Sequence, residues 1–285
     1  MKNSIPSIQA RLKAIAEQER TAYQIVLIRY FTERLMYRLS VSAHRQQFCL
    51  KGGALLYAYE REASRPTMDL DLLGLRISND KDEMKAVFQA ICQIECKEDC
   101  VSFLHETITT DEIKKEGRYS GVRVKIDGRL GNIRQMSQID IGFGDIVTPS
   151  PVDMTYPTLL QLPEPKILAY SLETVIAEKF EAMISLAAQN SRMKDFYDVY
   201  RLLLSFDIND AVLKTAIQNT FQQRETPVAR EHIVFSTEFA ESPKRQQEWA
   251  AFFKKMSRYT AMATPAFEEV MLVIRNRLES IYTSL

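Results

Sequence analysis

Glycine and proline are scarce, at 9 and 10 in 285 residues. That excludes collagen-like or linker-dominated organisation. Cysteine is scarcer still: 4 residues are far too few for a disulfide scaffold. Neither charge sign dominates, because 37 Lys and Arg balance 37 Asp and Glu. The simplest argument for a nucleic-acid binder is thereby removed, and only a local basic patch could serve that role. No stretch of about 18 uncharged apolar residues occurs, so no membrane-spanning helix is expected. The opening MKNSIPSIQARLKAIAEQER lacks the apolar segment of a secretory signal. A cytoplasmic setting with reduced, partly buried thiols is the expectation. Cys92, Cys96 and Cys100 follow C-x3-C-x3-C, which on a helix lines three thiols along one stripe. Metal ligation would need a fourth donor and a closer spacing such as C-x2-C.

What is present is ordinary globular material, 46% hydrophobic, 26% charged and 9% aromatic. The length allows one large domain or two small ones. Residues 7–42 read as helical, with Ile25, Leu27, Ile28, Phe31, Leu35, Met36 and Leu39 at helical spacing. FCLKGG is a short strand stopped by two glycines, and ALLYAYERE continues it as a helix. MDLDLLGLRI alternates as a strand and residues 80–95 read as a helix. VSFLHETIT, YSGVRVKID and RQMSQIDIGFGD alternate again, with Asp127-Gly128 as the expected turn between the last two. A Pro-marked connection covers 148–165. Helices then dominate: one from an N-cap at Ser171, a second at RMKDFYDVYRLLLS, a third near 208–222 and a last over 265–283. The stretch 224–245 reads as irregular. The expected class is α+β, with N-terminal helices over 1–45, a mixed core over 46–165 and a helical region over 166–285.

Four features carry chemistry. Asp69 and Asp71 sit two apart on a strand, on one face and about 7 Å apart along the chain. Such a pair can share divalent cations, which prefer hard oxygen ligands; a simple sheet-edge D-x-D is the alternative. Asp140 alternates against Ile139, Ile141 and Phe143, so a neighbouring strand could bring it to the pair, or it is merely solvent-facing. Gly52-Gly53 lies at a strand-to-helix junction, where backbone N–H groups and the helix dipole favour an anion; a tight turn is equally compatible. Lys179 interrupts an apolar helical stripe of Leu172, Val175, Ile176, Met183 and Leu186. It must meet an anion or snorkel from the helix edge. Asp195 and Asp198 read as part of a solvated charge ladder with Lys194.

Together, Lys51-Gly52-Gly53-Ala54-Leu55-Leu56, Arg65-Pro66-Thr67-Met68-Asp69-Leu70-Asp71, ETVIAEKF from Glu173 to Phe180, and Arg192-Met193-Lys194-Asp195-Phe196-Tyr197-Asp198 resemble the AbiEii/AbiGii toxin family. These are nucleotidyltransferase-like toxins of abortive-infection and toxin–antitoxin systems. The resemblance implies a DNA-polymerase-β-like fold and transfer of a nucleoside monophosphate from an NTP to an acceptor, in related toxins a tRNA 3′ end. It implies Mg²⁺ or Mn²⁺ as cofactor and a separately encoded antitoxin as partner. Asp69 and Asp71 match the metal-binding pair, and Lys51, Gly52 and Gly53 the start of the nucleotide-binding motif. Thr67 holds the Ser/Thr position two before the first Asp. Lys179 matches the lysine of the helical motif, and Lys194, Asp195 and Asp198 match K-D-x-x-D. Lys179 and Asp195 join the aspartate pair as the catalytic set. The wider superfamily has Gly-Ser where this chain has Gly52-Gly53, so backbone N–H groups would serve for the missing hydroxyl. Asp140 as third metal carboxylate rests on strand pattern alone.

An RNA acceptor needs cationic surface. Residues 113–134 hold seven basic residues (Lys114, Lys115, Arg118, Arg123, Lys125, Arg129 and Arg134) against Glu116 and Asp127. Tyr119 could stack on a base. A hairpin with its edges protected by charge is the alternative. Two other functions compete with the toxin reading: NMP transfer onto a protein side chain, and a nucleotide-sensing or partner-binding module without turnover.

Overall fold

The computed structural model describes residues 3–61, 64–114, 120–259 and 264–285. The chain is α+β and divides into two compact units. One holds Met1–Gly144, Val152–Ala169 and Tyr259–Ala261; the other holds Asp145–Pro151, Tyr170–Arg258 and Met262–Leu285.

The first unit is built on a seven-stranded mixed sheet. Its elements are α1 (Ile5–Gln18), α2 (Tyr23–Val41), β1 (Phe48–Lys51), α3 (Gly52–Glu60), β2 (Asp69–Gly74), α4 (Lys81–Cys92), β3 (Ser102–Lys114), β4 (Ser120–Leu130), β5 (Ile133–Phe143), β6 (Val152–Thr155) and β7 (Lys166–Ala169). The strand order is β3-β4-β5-β2-β1-β7-β6. β2–β5 and β1–β7 run parallel; the other neighbours run antiparallel. Alternation explains the layering. Leu70, Leu72, Val122, Val124, Ile126, Ile139 and Ile141 are all buried, while the residues between them stay half-buried or exposed. One face is therefore apolar and covered; the other is polar.

α2 is less apolar than its stripe implies. Glu33, Arg34 and Arg38 are buried in it beside Tyr30, Phe31 and Leu35. Each serves backbone that no ladder satisfies. Glu33 Oε2 accepts from the Leu159 N–H at 2.8 Å, and the Arg34 guanidinium donates twice to the Pro163 carbonyl at 3.1 Å. Arg38 pairs with buried Asp99 at 2.8 Å and donates to the Val101 carbonyl.

The sequence expectations need four corrections here. Residues 7–42 form two helices, broken where Arg20 takes φ 50°. Asp127-Gly128 is not a turn but lies within β4, paired with β5. The chain reverses instead at Gly131, which takes φ 63°. Gly128 is there for close approach: a Cβ would stand 2.6 Å from the Phe31 ring of α2. The Pro-marked connection contains β6 and is followed directly by β7. α4 ends at Cys92, so the three cysteines do not share a helical stripe; all four are free thiols, as expected.

The second unit is helical: α5 (Leu172–Leu186), α6 (Met193–Ser205), α7 (Asp210–Arg224), the short α8 (Thr237–Ala240), α9 (Pro243–Met256) and α10 (Phe267–Thr283). Ser171 caps α5 as expected, its hydroxyl accepting from the Thr174 N–H at 3.1 Å. α9 was not anticipated. Its mixed polar sequence hides Trp249 and Phe253, which pack with Tyr197 in an aromatic cluster. Among the described residues no helix is long and apolar enough to cross a membrane.

Candidate active site

In the first unit, sheet register assembles a row of charge. Lys51 of β1 lies opposite Asp71 of β2, Asp71 opposite Asp140 of β5, Asp140 opposite Arg123 of β4, and Arg123 opposite Asp111 of β3. Directly opposed residues share a face, and adjacent strands are about 4.8 Å apart. Five strands thus place Lys51, Asp71, Asp140, Arg123 and Asp111 in one line on the polar face. Asp69 joins the same face two residues along β2, opposite Gln138. The strand pattern that paired Asp140 with the D-x-D motif is realised in this register.

The junction of β1 and α3 fits against this row. Gly52 takes φ 68°, and a Cβ there would fall 2.0 Å from Asp71 Oδ2. Glycine is therefore required twice, for the left-handed backbone and for the space that the Asp71 carboxylate fills. Gly53, the second residue of α3, stands beside Thr67: a Cβ would fall 2.6 Å from Thr67 Oγ1. A serine at 53 would collide with this threonine, which gives a physical reason for Gly-Gly in place of Gly-Ser. The Thr67 hydroxyl itself donates to the Asp69 carbonyl at 3.4 Å.

Arg123 is turned onto the carboxylates. Its Nε donates to Asp140 Oδ1 at 2.8 Å and its Nη2 to Oδ2 at 2.7 Å, a bidentate pair. The hydrogen bonds it donates to Asp140, against partial burial and with the charges of Asp140, Asp69 and Asp111, raise the guanidinium pKa above its usual value. Lys125 shares this face and pairs with Asp111 at 3.3 Å. The Lys114 side chain, Lys115, Arg118 and Tyr119 lie outside the described residues.

The donor set suits a hard divalent cation: carboxylates only, on one polar face, with Gly52 leaving room for one of them. Among the described residues, however, no three His, Cys, Asp or Glu side chains converge as a ready-made metal cluster. The row is splayed instead, with Asp71 leaning over Gly52 and Asp140 bonded to Arg123.

The second unit holds the other motif residues. Lys179 of α5 donates to Asp195 Oδ1 at 2.9 Å and to Asp198 Oδ2 at 2.8 Å, both on α6. Both carboxylates are buried, so they are not the solvated ladder expected from spacing. Lys179 interrupts its apolar stripe because it meets these anions. Arg192 adds a second cation to Asp195 at 2.7 Å. Burial pushes the Asp195 carboxyl up, but Lys179 and Arg192 outweigh it and hold the group below the usual range. Lys194 is exposed. Sequence reading missed Arg224, which gathers Asp145, Glu178 and Glu181 at 2.9, 3.3 and 2.7 Å. Its partners come from two segments, the stretch after β5 and α5, and nothing local in the sequence joins them to Arg224.

No curated protein sequence matches the chain. In fold it is similar to JHP933 from Helicobacter pylori, at 15% identity and TM-score 0.48, over 88% of this chain and 89% of that one. It is also similar to an antigenic nucleotidyltransferase-like protein from Paracoccidioides brasiliensis, at 15% identity and TM-score 0.38, over 72% and 90%. The model of one family, described as nucleotidyl transferase AbiEii toxin, Type IV TA system, matches residues 34–272. That span includes the glycine pair, the three aspartates and the Lys179 cluster, and the chain belongs to the AbiEii nucleotidyltransferase toxin family.

Proposed function

We propose that the protein transfers a nucleoside monophosphate from an NTP to an RNA acceptor, a tRNA 3′ end. The acceptor hydroxyl gives up its proton to solvent as its oxygen bonds to the α-phosphorus, and the α–β phosphoanhydride bond breaks to release pyrophosphate. The observation that carries this reading is the placing of Asp69, Asp71 and Asp140 on one sheet face beside Gly52. Family membership supports the same chemistry.

In this reading Asp69 and Asp71, with Asp140, hold Mg²⁺. When bound, the cation neutralises phosphate charge and aligns the nucleotide. The chain's own groups do the rest. Backbone N–H groups at Gly52 and Gly53, at the start of α3, receive phosphate oxygens. Lys51 and the Thr67 hydroxyl complete that part of the nucleotide site. Asp140 orients the acceptor hydroxyl. In the second unit, Lys179, fixed by Asp195 and Asp198, and the exposed Lys194 are the cations that the family motifs assign to nucleotide charge. Lys125 and the neighbouring basic segment bind the acceptor. A separately encoded antitoxin restrains the toxin, and the cytoplasm supplies both NTP and tRNA.

The test uses purified protein with each labelled NTP, Mg²⁺ and total tRNA, beside Asp69→Ala. Label on RNA is expected, lost by at least about a hundredfold in the variant, as befits a residue that stabilises the transition state directly. Label retained in a folded Asp69→Ala protein would sink the reading. Label on protein would redirect it to protein NMPylation. NTP binding without any product would favour a sensing module.

A further inference from the structure

We propose that Arg123 is a resident cation that competes with the divalent metal for Asp140, with Asp111 as its alternative partner. This rests on the metal-dependent reading above and concerns the regulation of that same site. The bidentate pair engages both oxygens of Asp140, at 2.8 and 2.7 Å. A metal that recruits Asp140 needs at least one of those oxygens, so the guanidinium must yield. It has somewhere to go: Arg123 lies in register between Asp140 on β5 and Asp111 on β3, all on one face. The Arg123 and Asp140 side chains are 36% and 21% exposed, so the pair is partly solvated and exchangeable. Asp111, at 59% exposure, makes a long 3.3 Å contact with Lys125.

The result is a two-position switch. With Arg123 on Asp140, the third carboxylate is withheld and the row stays splayed. With Arg123 on Asp111, Asp140 is released to the metal. Metal binding shifts the population because it favours only the second state. Arg123 is thus a positioning residue that sets how tightly the site loads.

The experiment is Mn²⁺ titration of the full chain without nucleotide, by calorimetry or electron paramagnetic resonance. The proteins are wild type, Arg123→Ala, Asp111→Asn, the double variant and Asp69→Asn. Arg123→Ala should tighten Mn²⁺ about fivefold, the factor matching one half-exposed ion pair. Asp111→Asn should weaken it about twofold, and that loss should vanish in the Arg123→Ala background. Arg123→Gln, which keeps the side chain's bulk, should reproduce the tightening if the alanine variant folds poorly. Unchanged or weaker binding in both Arg123 variants overturns the switch. So does an Asp111→Asn loss that persists undiminished in the double variant, since that is plain charge attraction. If binding depends on Asp69 while Arg123 is neutral, the metal reading stands and this inference falls. Binding indifferent to Asp69 overturns both.

Discussion

Gly52 and Asp71 constrain each other. The backbone of Gly52 is left-handed at φ 68°, and the space beyond its Cα belongs to Asp71 Oδ2. Gly52→Ala therefore costs about 1 kcal/mol of backbone strain and, separately, drives the carboxylate out of place. Gly131 offers the matched control. It takes φ 63°, but a Cβ there would meet the ends of the Ile5 and Gln9 side chains, 2.7 and 3.6 Å away, and no carboxylate. Both alanine variants should lose similar stability in denaturant melts, and only Gly52→Ala should lose nucleotide transfer. Equal activity in the two would show that the position of Asp71 does not matter to the reaction. At this scale much was legible. Gly52, Gly53, Asp69 and Asp71 form short local motifs, and Asp140 followed from alternation. The Arg123–Asp140 bond was not legible, because it depends on which residues of two strands face each other. Composition alone groups Arg123 with the basic residues around it.

At the scale of the element, α2 shows what periodicity conceals. Its apolar stripe predicted a buried helix, and the helix is buried, but Glu33, Arg34 and Arg38 are buried with it. Their partners, the Leu159 N–H and the Pro163 and Val101 carbonyls, are distant in sequence and irregular in structure. No pattern in α2 encodes them. The same blindness hid β7 and α9, and it set the turn at Gly128, where glycine serves Phe31 rather than reversal. Glu33 makes the energetic consequence measurable. Burial raises its carboxyl from the ordinary 4.5 to about 8, opposed by Arg34 and by the Leu159 N–H. A raised folded value means that the native chain binds a proton more tightly than the unfolded one. The stability so gained is complete below about pH 4.5 and is lost as pH rises through about 8. Glu33→Gln keeps the acceptor for Leu159 and removes the titration. Its melting temperature should fall less steeply than wild type between those limits; identical pH profiles would show that Glu33 does not titrate there.

Across the whole molecule the charge is zero, so any RNA must be held locally. The polar sheet face shows where. Arg129 and Arg134 are direct cross-strand partners, a like-charged pair that a sheet ordinarily avoids. Asp127 answers only Arg134, at 2.5 Å, and Arg129 is exposed. Lys125 lies further along the same strand face, 39% exposed, toward the carboxylates. Arg123 is already committed to Asp140, which removes it from the roster of phosphate contacts. For the proposed RNA acceptor, two cations therefore matter most among the described residues of this face. Each phosphate contact steepens the salt dependence of single-strand binding by about 0.7 in log–log slope. Lys125→Gln with Arg129→Gln should accordingly flatten the tRNA-binding slope by about 1.4 and weaken binding at low salt far more than at high salt. The KM for tRNA should rise with kcat nearly unchanged, since neither side chain belongs to the carboxylate row. An unaltered slope would mean that this face does not carry the acceptor and that its lysine and arginines do no more than guard the sheet.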